Sequence, residues 1–336
     1  WWGVLETLDA DHAAAGRINP PPRENADRLR DLLYSVRPGH TVIFAPGMYD
    51  LDLRATGPLQ LVPGVRYHGA HATLAFRGAT VALTLDCARG DADTVLDGFE
   101  LRGDGLDSLL RATGPARVRL VRVRAQPAAF AGIDGRDRID IQLDSCTLSA
   151  ESGLAVHVDG GSHLEMRRSL ATGSPNPRQS TVTMQGGLVR RRARVIDSVV
   201  DGGLRLSTDR GPTLAAGGMA TATVSYSQLG WLDCSGDGLH LDAAGCTIAR
   251  LTAAVADLTV ARARVGGPGG EAIPSAHVLP PRGGGSARLV DVEFGVRDNG
   301  QEALRIIGPS GSVRLARVRA RVPMTTAVQI RGDCTV

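Results

Sequence analysis

From Thr41 to Phe76, apolar and polar residues alternate in short runs, and each run stops at Gly or Pro. Val42 and Phe44 lead into Pro46-Gly47. Tyr49 and Leu51 follow. Leu59 and Leu61 lead into Pro63-Gly64, Val65 and Tyr67 into Gly69, and Leu74 and Phe76 close the stretch. A period of two bounded by turn residues predicts strands. There is no helical pattern between the runs to make a doubly wound sheet. Short strands joined by short turns along the whole chain predict coil stacked on coil.

A helical pattern comes before them. Asn25–Val36 places Ala26, Leu29, Leu32 and Leu33 on one face, with Asn25 as N-cap. An open coil end exposes apolar side chains and unpaired backbone, so the helix is expected to cover the first coil. Residues 1–23, with Pro20-Pro21-Pro22, read as an extension or linker, and residues 24–336 as the coiled body.

Further along, the pattern repeats. An apolar-x-apolar run, a short turn and Cys-Thr-apolar occur at Ile141 to Leu148 and at Leu239 to Ile248, and again at Val328 to Val336. Looser copies run from Val118 to Ala125 and from Val313 to Ala320. The cysteines are therefore expected to face inward as small hydrophobes. A second row aligns Leu154-Ala155-Val156, Val182-Thr183-Met184, Leu204-Arg205-Leu206, Leu239-His240-Leu241, Leu304-Arg305-Ile306 and Val328-Gln329-Ile330. Several of its members lie 22 to 24 residues apart. With coils about 4.8 Å apart, roughly a dozen would extend on the order of 55 Å. Gly/Pro-rich stretches at residues 172–180, 208–218 and 265–286 read as loops between coils. The chain stops inside an expected strand, which predicts a continuation past Val336 or a contact at that open edge.

The helix at Asn25–Val36, the Thr41–Tyr49 stretch with its Pro46-Gly47 turn, and Gly64–Leu74 together resemble the opening of the pectin-lyase-like right-handed parallel β-helix superfamily. The resemblance implies an all-β fold: a single-stranded right-handed parallel β-helix with an N-terminal capping α-helix. It implies no single activity, because the superfamily holds lyases, glycosidases, tailspikes, adhesins and proteins with no known chemistry.

Composition agrees with a narrow core. Glycine is high at 42 residues, aromatics make up 4%, and the hydrophobic 43% is mostly small or β-branched. The 38 basic and 35 acidic residues leave a net charge of +3, which gives no field for nucleic acid. No run is long enough to enter a membrane. Every basic side chain is Arg, so lysine Schiff-base chemistry is excluded. The five cysteines form no CxxC pair, and neither a metal nor a cofactor is expected.

Candidate chemistry is sparse. The outward members of the second row are read as Ala155, Thr183, Arg205, His240, Arg305 and Gln329, with Asp134 as an earlier member. No two neighbours among them are acidic, as a glycosidase requires. The Arg-x-Pro-x-x-Arg pattern of pectate lyases starts at Arg321 and fails. The acidic motifs of polygalacturonases are absent, and four Asn in the chain leave no asparagine ladder. If the chain is an enzyme, Asp237, His240 and Asp242 are the expected acid/base group, acting as a polysaccharide lyase or glycosidase. Asp134 to Asp140, with alternating signs, reads as a solvated, ion-paired turn. His68 and His71 bracket another turn.

Arginine-rich strands carry Arg117, Arg119, Arg122 and Arg124, and later Arg314, Arg317, Arg319 and Arg321. Others hold Arg190–Arg194 and Arg262 with Arg264. Alternation turns most of them outward, where guanidinium forks suit carboxylate, sulfate or phosphate. The binding residues expected on this basis are Asp134, Arg205, Arg305, Arg122, Arg124, Arg317 and Arg319. The functional expectation is a noncatalytic, extracytoplasmic scaffold or binding surface for an anionic polysaccharide or a protein. The alternative is a lyase or glycosidase with an atypical site.

Overall fold

The computed structural model describes residues 4–8, 22–69, 71–87, 93–126, 131–149, 154–159, 162–172, 182–184, 192–207, 220–266, 276–278, 285–295, 304–320 and 328–335. The chain forms a right-handed parallel β-helix with an N-terminal helix. It divides into two compact units, Trp1–Thr181 and Val182–Val336.

In unit 1 the helix spans Pro22–Ser35 and buries Ala26, Leu29, Leu32 and Leu33, the apolar face read from the sequence. Leu29 and Leu33 close over Phe44, Leu61, Tyr67, Leu74, Leu83, Leu96 and Phe99, the apolar interior of the first coils. Val4–Leu8, in the stretch expected to be an extension, forms a strand paired in parallel with Thr41–Phe44.

The coils stack in register. Leu59–Leu61, Val81–Asp86, Ser108–Thr113, Ala131–Arg136 and Leu154–Val158 pair successively in parallel. Their inward side chains form one column, in which Leu83, Leu110, Ile133 and Val156 are all at least 98% buried. Such aliphatic burial is worth about 1.5–3 kcal/mol per large side chain and supplies the core of a solenoid. In unit 2 the corresponding pairing runs Val182–Met184, Val199–Ser207, Gln228–Ala244, Thr247–Val265, Ala276–Val278, Leu304–Ala316 and Val328–Thr335.

One corner of the coil is built from single left-handed residues. In unit 1 they are Gly98, Arg122, Ser145 and Arg168, with φ of 76°, 51°, 56° and 47°. The first three donate their N–H to a carbonyl on the next coil, Val121, Asp144 and Arg167, at 2.9–3.0 Å. In unit 2, Asp197, Tyr226, Gly245, Arg262, Asp291 and Arg317 also have positive φ. The residue after the bend points inward and is often Ser or Cys. The Cys146 N–H donates to Ser169 Oγ at 3.1 Å, and the Ser198 N–H to Ser227 Oγ at 3.2 Å. Small hydroxyls therefore do at this bend what stacked asparagines would do, satisfying backbone groups that the turn leaves unpaired.

Two of the three repeat cysteines, Cys146 and Cys246, lie as the repeat predicts. Cys146 and Cys246 are 2% and 1% exposed, and each thiol donates to main-chain carbonyls near the corner. Burial pushes the Cys87 and Cys146 thiols up to about 11, so neither is a nucleophile at neutral pH. The third Cys-Thr copy is not equivalent to the other two. Cys334 registers on Gly311 and Thr335 on Ser312, ahead of the inward run rather than at the corner. At another bend Gly114 is obligatory: its φ is +92°, and a Cβ there would come 2.2 Å from the Cys87 carbonyl oxygen.

Candidate functional site

The outer face of the stacked sheet in unit 1 carries a charged column. Arg111, Asp134 and His157 occupy the same register position on three successive coils, Ser108–Thr113, Ala131–Arg136 and Leu154–Val158. Arg111 Nε donates to Asp134 Oδ2 at 2.9 Å, and His157 Nδ1 lies 3.0 Å from Oδ1. Arg136, two residues along the same strand face, reaches Asp134 at 3.0 Å. Asp134 itself is 0% exposed.

A carboxylate this deep survives as an anion only because donors replace its water. Burial, the largest single influence, pushes the Asp134 carboxyl up. Hydrogen bonds from His157, Arg136 and Arg111 outweigh it and hold the group at about 2. On the next coil, Asp159 follows strand Leu154–Val158, and its N–H donates to the Gly135 carbonyl at 2.8 Å. Its carboxyl shifts the other way, raised by burial and by Asp134 and Asp137 against His157 and Arg136. Two carboxyls pushed in opposite directions beside an oriented imidazole can divide acid and base roles.

A second His–Asp–Arg ladder lies elsewhere on unit 1. His68 Nδ1 sits 3.1 Å from Asp97, and Arg122 donates to both Asp97 oxygens at 2.6 and 2.7 Å. This ladder is open to water, with side-chain exposures of 42% for His68, 21% for Asp97 and 62% for Arg122.

The structure redistributes the residues expected from sequence. Asp134 was read as part of a solvated turn. It is instead wholly buried, and the left-handed bend belongs to Asp137 and Arg138. Ala155 is also buried, and His157 takes the outward position assigned to it. His240 does not share a column with Arg205 and Arg305. Asp233 does, while His240 stacks between Thr221 and Asp257 on another stretch of the coil. There His240 Nδ1 meets Asp257 at 2.7 Å, and Ser286 Oγ donates to the other Asp257 oxygen at 2.5 Å. Asp242 lies exposed two residues along, registered on Thr223 and Thr259. Asp237 lies at the register irregularity between Gly236 and His240, and its side chain is outside the described residues.

The arginines are mostly matched by carboxylates on the neighbouring coil. Arg117 pairs with Asp140 at 2.9 Å, Arg119 with Asp93 at 3.0 Å, and Arg168 with Asp144 at 2.6 Å. Arg317 grips Asp291, with Nη2 at 2.7 Å, and holds that carboxyl below its usual range. Arg205 Nε lies 3.3 Å from Asp233, and its guanidinium sits over the Trp231 ring at 5.4 Å. Arg124 registers on Glu100, Arg319 on Glu293, and Arg305 between His277 and Gln329. Arg190, Arg191 and the Arg321-Val322-Pro323 stretch fall outside the described residues.

Sequence reading missed Arg111, His157, Asp159 and Asp257. A signal for the first two was present: Arg111, Asp134 and His157 are each separated by 23 residues, one coil length. Among the described residues, no group of three or more His, Cys, Asp or Glu could hold a metal ion. No described helix is long and apolar enough to cross a membrane.

No protein-family model matches the chain. No curated protein matches it either. Among solved structures the chain is similar to the A-module of the mannuronan C-5 epimerase AlgE6 of Azotobacter vinelandii. The identity is 12% over 93% of this chain and 94% of that one, with a TM-score of 0.35. A likeness that distant transfers no chemistry to this chain.

Proposed function

We propose that this β-helix is an extracytoplasmic module acting on an anionic, uronate-containing polysaccharide by proton transfer at the Asp134 cluster. The observation that supports the reading is the buried His157–Asp134 pair, 3.0 Å apart and flanked by Arg111 and Arg136, with burial raising the Asp159 carboxyl just past the His157 strand. Arg111 and Arg136, with side chains 33% and 38% exposed, face a substrate carboxylate. Asp134 stays ionised and orients His157. In a β-elimination, His157 takes the proton α to the carboxylate, and the C–H electron pair becomes the new double bond. The glycosidic C–O bond breaks, and Asp159 protonates the departing oxygen. General acid–base steps of this kind contribute about 10²–10⁴-fold each.

The test is incubation with polygalacturonate, alginate and hyaluronan. New unsaturated chain ends are expected, reduced about 10²-fold or more in Asp159→Asn and His157→Gln. Absence of both unsaturated and new reducing ends on all three polymers overturns the proposal. Turnover abolished by His240→Ala but not by Asp159→Asn would move the chemistry to the His240–Asp257 pair.

A noncatalytic rigid scaffold is the second reading. It is favoured by the inter-coil Arg–Asp pairs, which tie charge into the coil stack instead of presenting it.

A further inference from the structure

Several residues of the left-handed corner offset the cost of their backbone with side-chain bonds. Arg122, Arg168 and Arg317 grip Asp97, Asp144 and Asp291, and Ser145 Oγ donates to Asp144. Tyr226 takes the same bend, with φ of 50°, a conformation unfavourable for so bulky a side chain. Among the described residues it makes no ion pair, side-chain hydrogen bond or ring stack in return. Tyr226 is 64% exposed. The edge of its ring rests on Gly245 of the next coil, where a Cβ would come 2.8 Å from Tyr226 Cδ1.

Among the described residues the exposed large apolar side chains are Tyr34, Met48, Val199 and Tyr226. The two in unit 2 adjoin. Val199 registers on Gln228, two residues past Tyr226, and Gln228 registers on Thr247. Gln228 and Thr247 are exposed, and so is Asp197, the bend residue one coil before Tyr226. One aromatic ring with one aliphatic neighbour is thus rimmed by an amide, a hydroxyl and a carboxylate. So small an apolar area falls far short of the core of a protein interface. Stability does not account for the tyrosine either, because asparagine takes this backbone more readily and would expose no ring.

We propose that Tyr226 is a stacking platform for a neutral sugar, with Val199 beside it and Asp197, Gln228 and Thr247 as hydrogen-bond partners. The inference does not rest on the acid–base reading of unit 1. A pyranose presents C–H groups on a ring face and hydroxyls around its edge. An exposed tyrosine, apolar in its body and polar at its tip, matches that surface when short polar side chains stand around it. Gln228 and Thr247 lie on successive coils, about 4.8 Å apart, so one sugar can reach both. Asp197 accepts from hydroxyls and repels a second negative charge. A uronate polymer or a nucleic acid therefore fits this corner poorly.

The test is affinity electrophoresis in gels holding galactomannan, hydroxyethyl cellulose, dextran or polygalacturonate. At least one neutral polymer is expected to retard the wild type, with little dependence on salt. Tyr226→Asn should weaken that binding about tenfold or more, the size of a hot-spot loss, without lowering the urea midpoint. Tyr226→Phe keeps the ring and should keep the binding. Circular dichroism confirms that each variant is folded. The proposal is overturned if no neutral polymer retards the wild type, or if polygalacturonate alone does. It also fails if folded Tyr226→Asn binds as wild type, or if Tyr226→Phe loses as much as Tyr226→Asn. A lower urea midpoint in Tyr226→Asn would make the ring a packing element and overturn it too.

Discussion

Unit 1 contains the same three residue types stacked twice on a parallel sheet, once in the dry and once in the wet. In Arg111–Asp134–His157 the carboxylate is 0% exposed and a second guanidinium, Arg136, joins it. In His68–Asp97–Arg122 the contacts are equally short, but the arginine side chain is 62% exposed. Contact lists alone would rank the two alike. Charge interactions scale inversely with the local dielectric, so the buried ladder holds its geometry and the exposed one trades its partners with water. The first is therefore a candidate for chemistry and the second a surface clip between coils.

The largest expected difference is in stability. The double variant Arg111→Met/Arg136→Met leaves a buried carboxylate with only His157 beside it. It should lose about 3–5 kcal/mol by urea denaturation, as broken buried pairs do. Arg122→Met removes a 62% exposed partner from a carboxylate that keeps His68 and some water, and should cost less than about 1 kcal/mol. Equal losses would erase the distinction.

Acid probes the buried ladder next. The Asp134 carboxyl is held at about 2, below its ordinary 3.8. A depressed folded-state value means the stabilisation is fully present above about pH 4 and is lost as pH falls towards 2. The amount is about 2 kcal/mol. Asp134→Asn should flatten that part of the stability profile. A profile unchanged in that variant would mean that the donors around Asp134 do not favour its ionised form.

A smaller effect sharpens the point at the corner. Ser169 Oγ accepts from the Cys146 N–H and donates to the Arg167 carbonyl. Ser169→Ala leaves a buried N–H unsatisfied and should cost about 1–3 kcal/mol. Asp97→Asn keeps the shape of the exposed ladder and should cost under about 1 kcal/mol.

The coil itself was legible from alternation. Leu29, Leu32 and Leu33 announced the helix, and Cys146 and Cys246 were placed inward by the repeat alone. What failed was register. In Leu154-Ala155-Val156-His157-Val158, both alternating sets look apolar until His157, so a period of two cannot tell which set faces out. Ala155 is wholly buried. His240 was misplaced for a related reason. It lies in a 17-residue strand, Gln228–Ala244, that serves two positions of the coil, with Leu232-Asp233-Cys234 on one and Leu239-His240-Leu241 on the other. Both triplets read alike. The charged ladders were harder to read because their members lie one coil apart: the 23-residue spacing of Arg111, Asp134 and His157 hints at the stack, but only the register brings Arg111 to Asp134 and His68 to Asp97.

The most direct measurement is a pair of double-mutant cycles by chemical denaturation, Asp134–His157 beside Asp97–His68, at a pH where the wild type is folded. A coupling of about 2 kcal/mol or more is expected for the buried pair and under about 1 kcal/mol for the exposed one. Indistinguishable couplings would contradict the claim that burial sets Asp134 and His157 apart from the clips that hold one coil to the next.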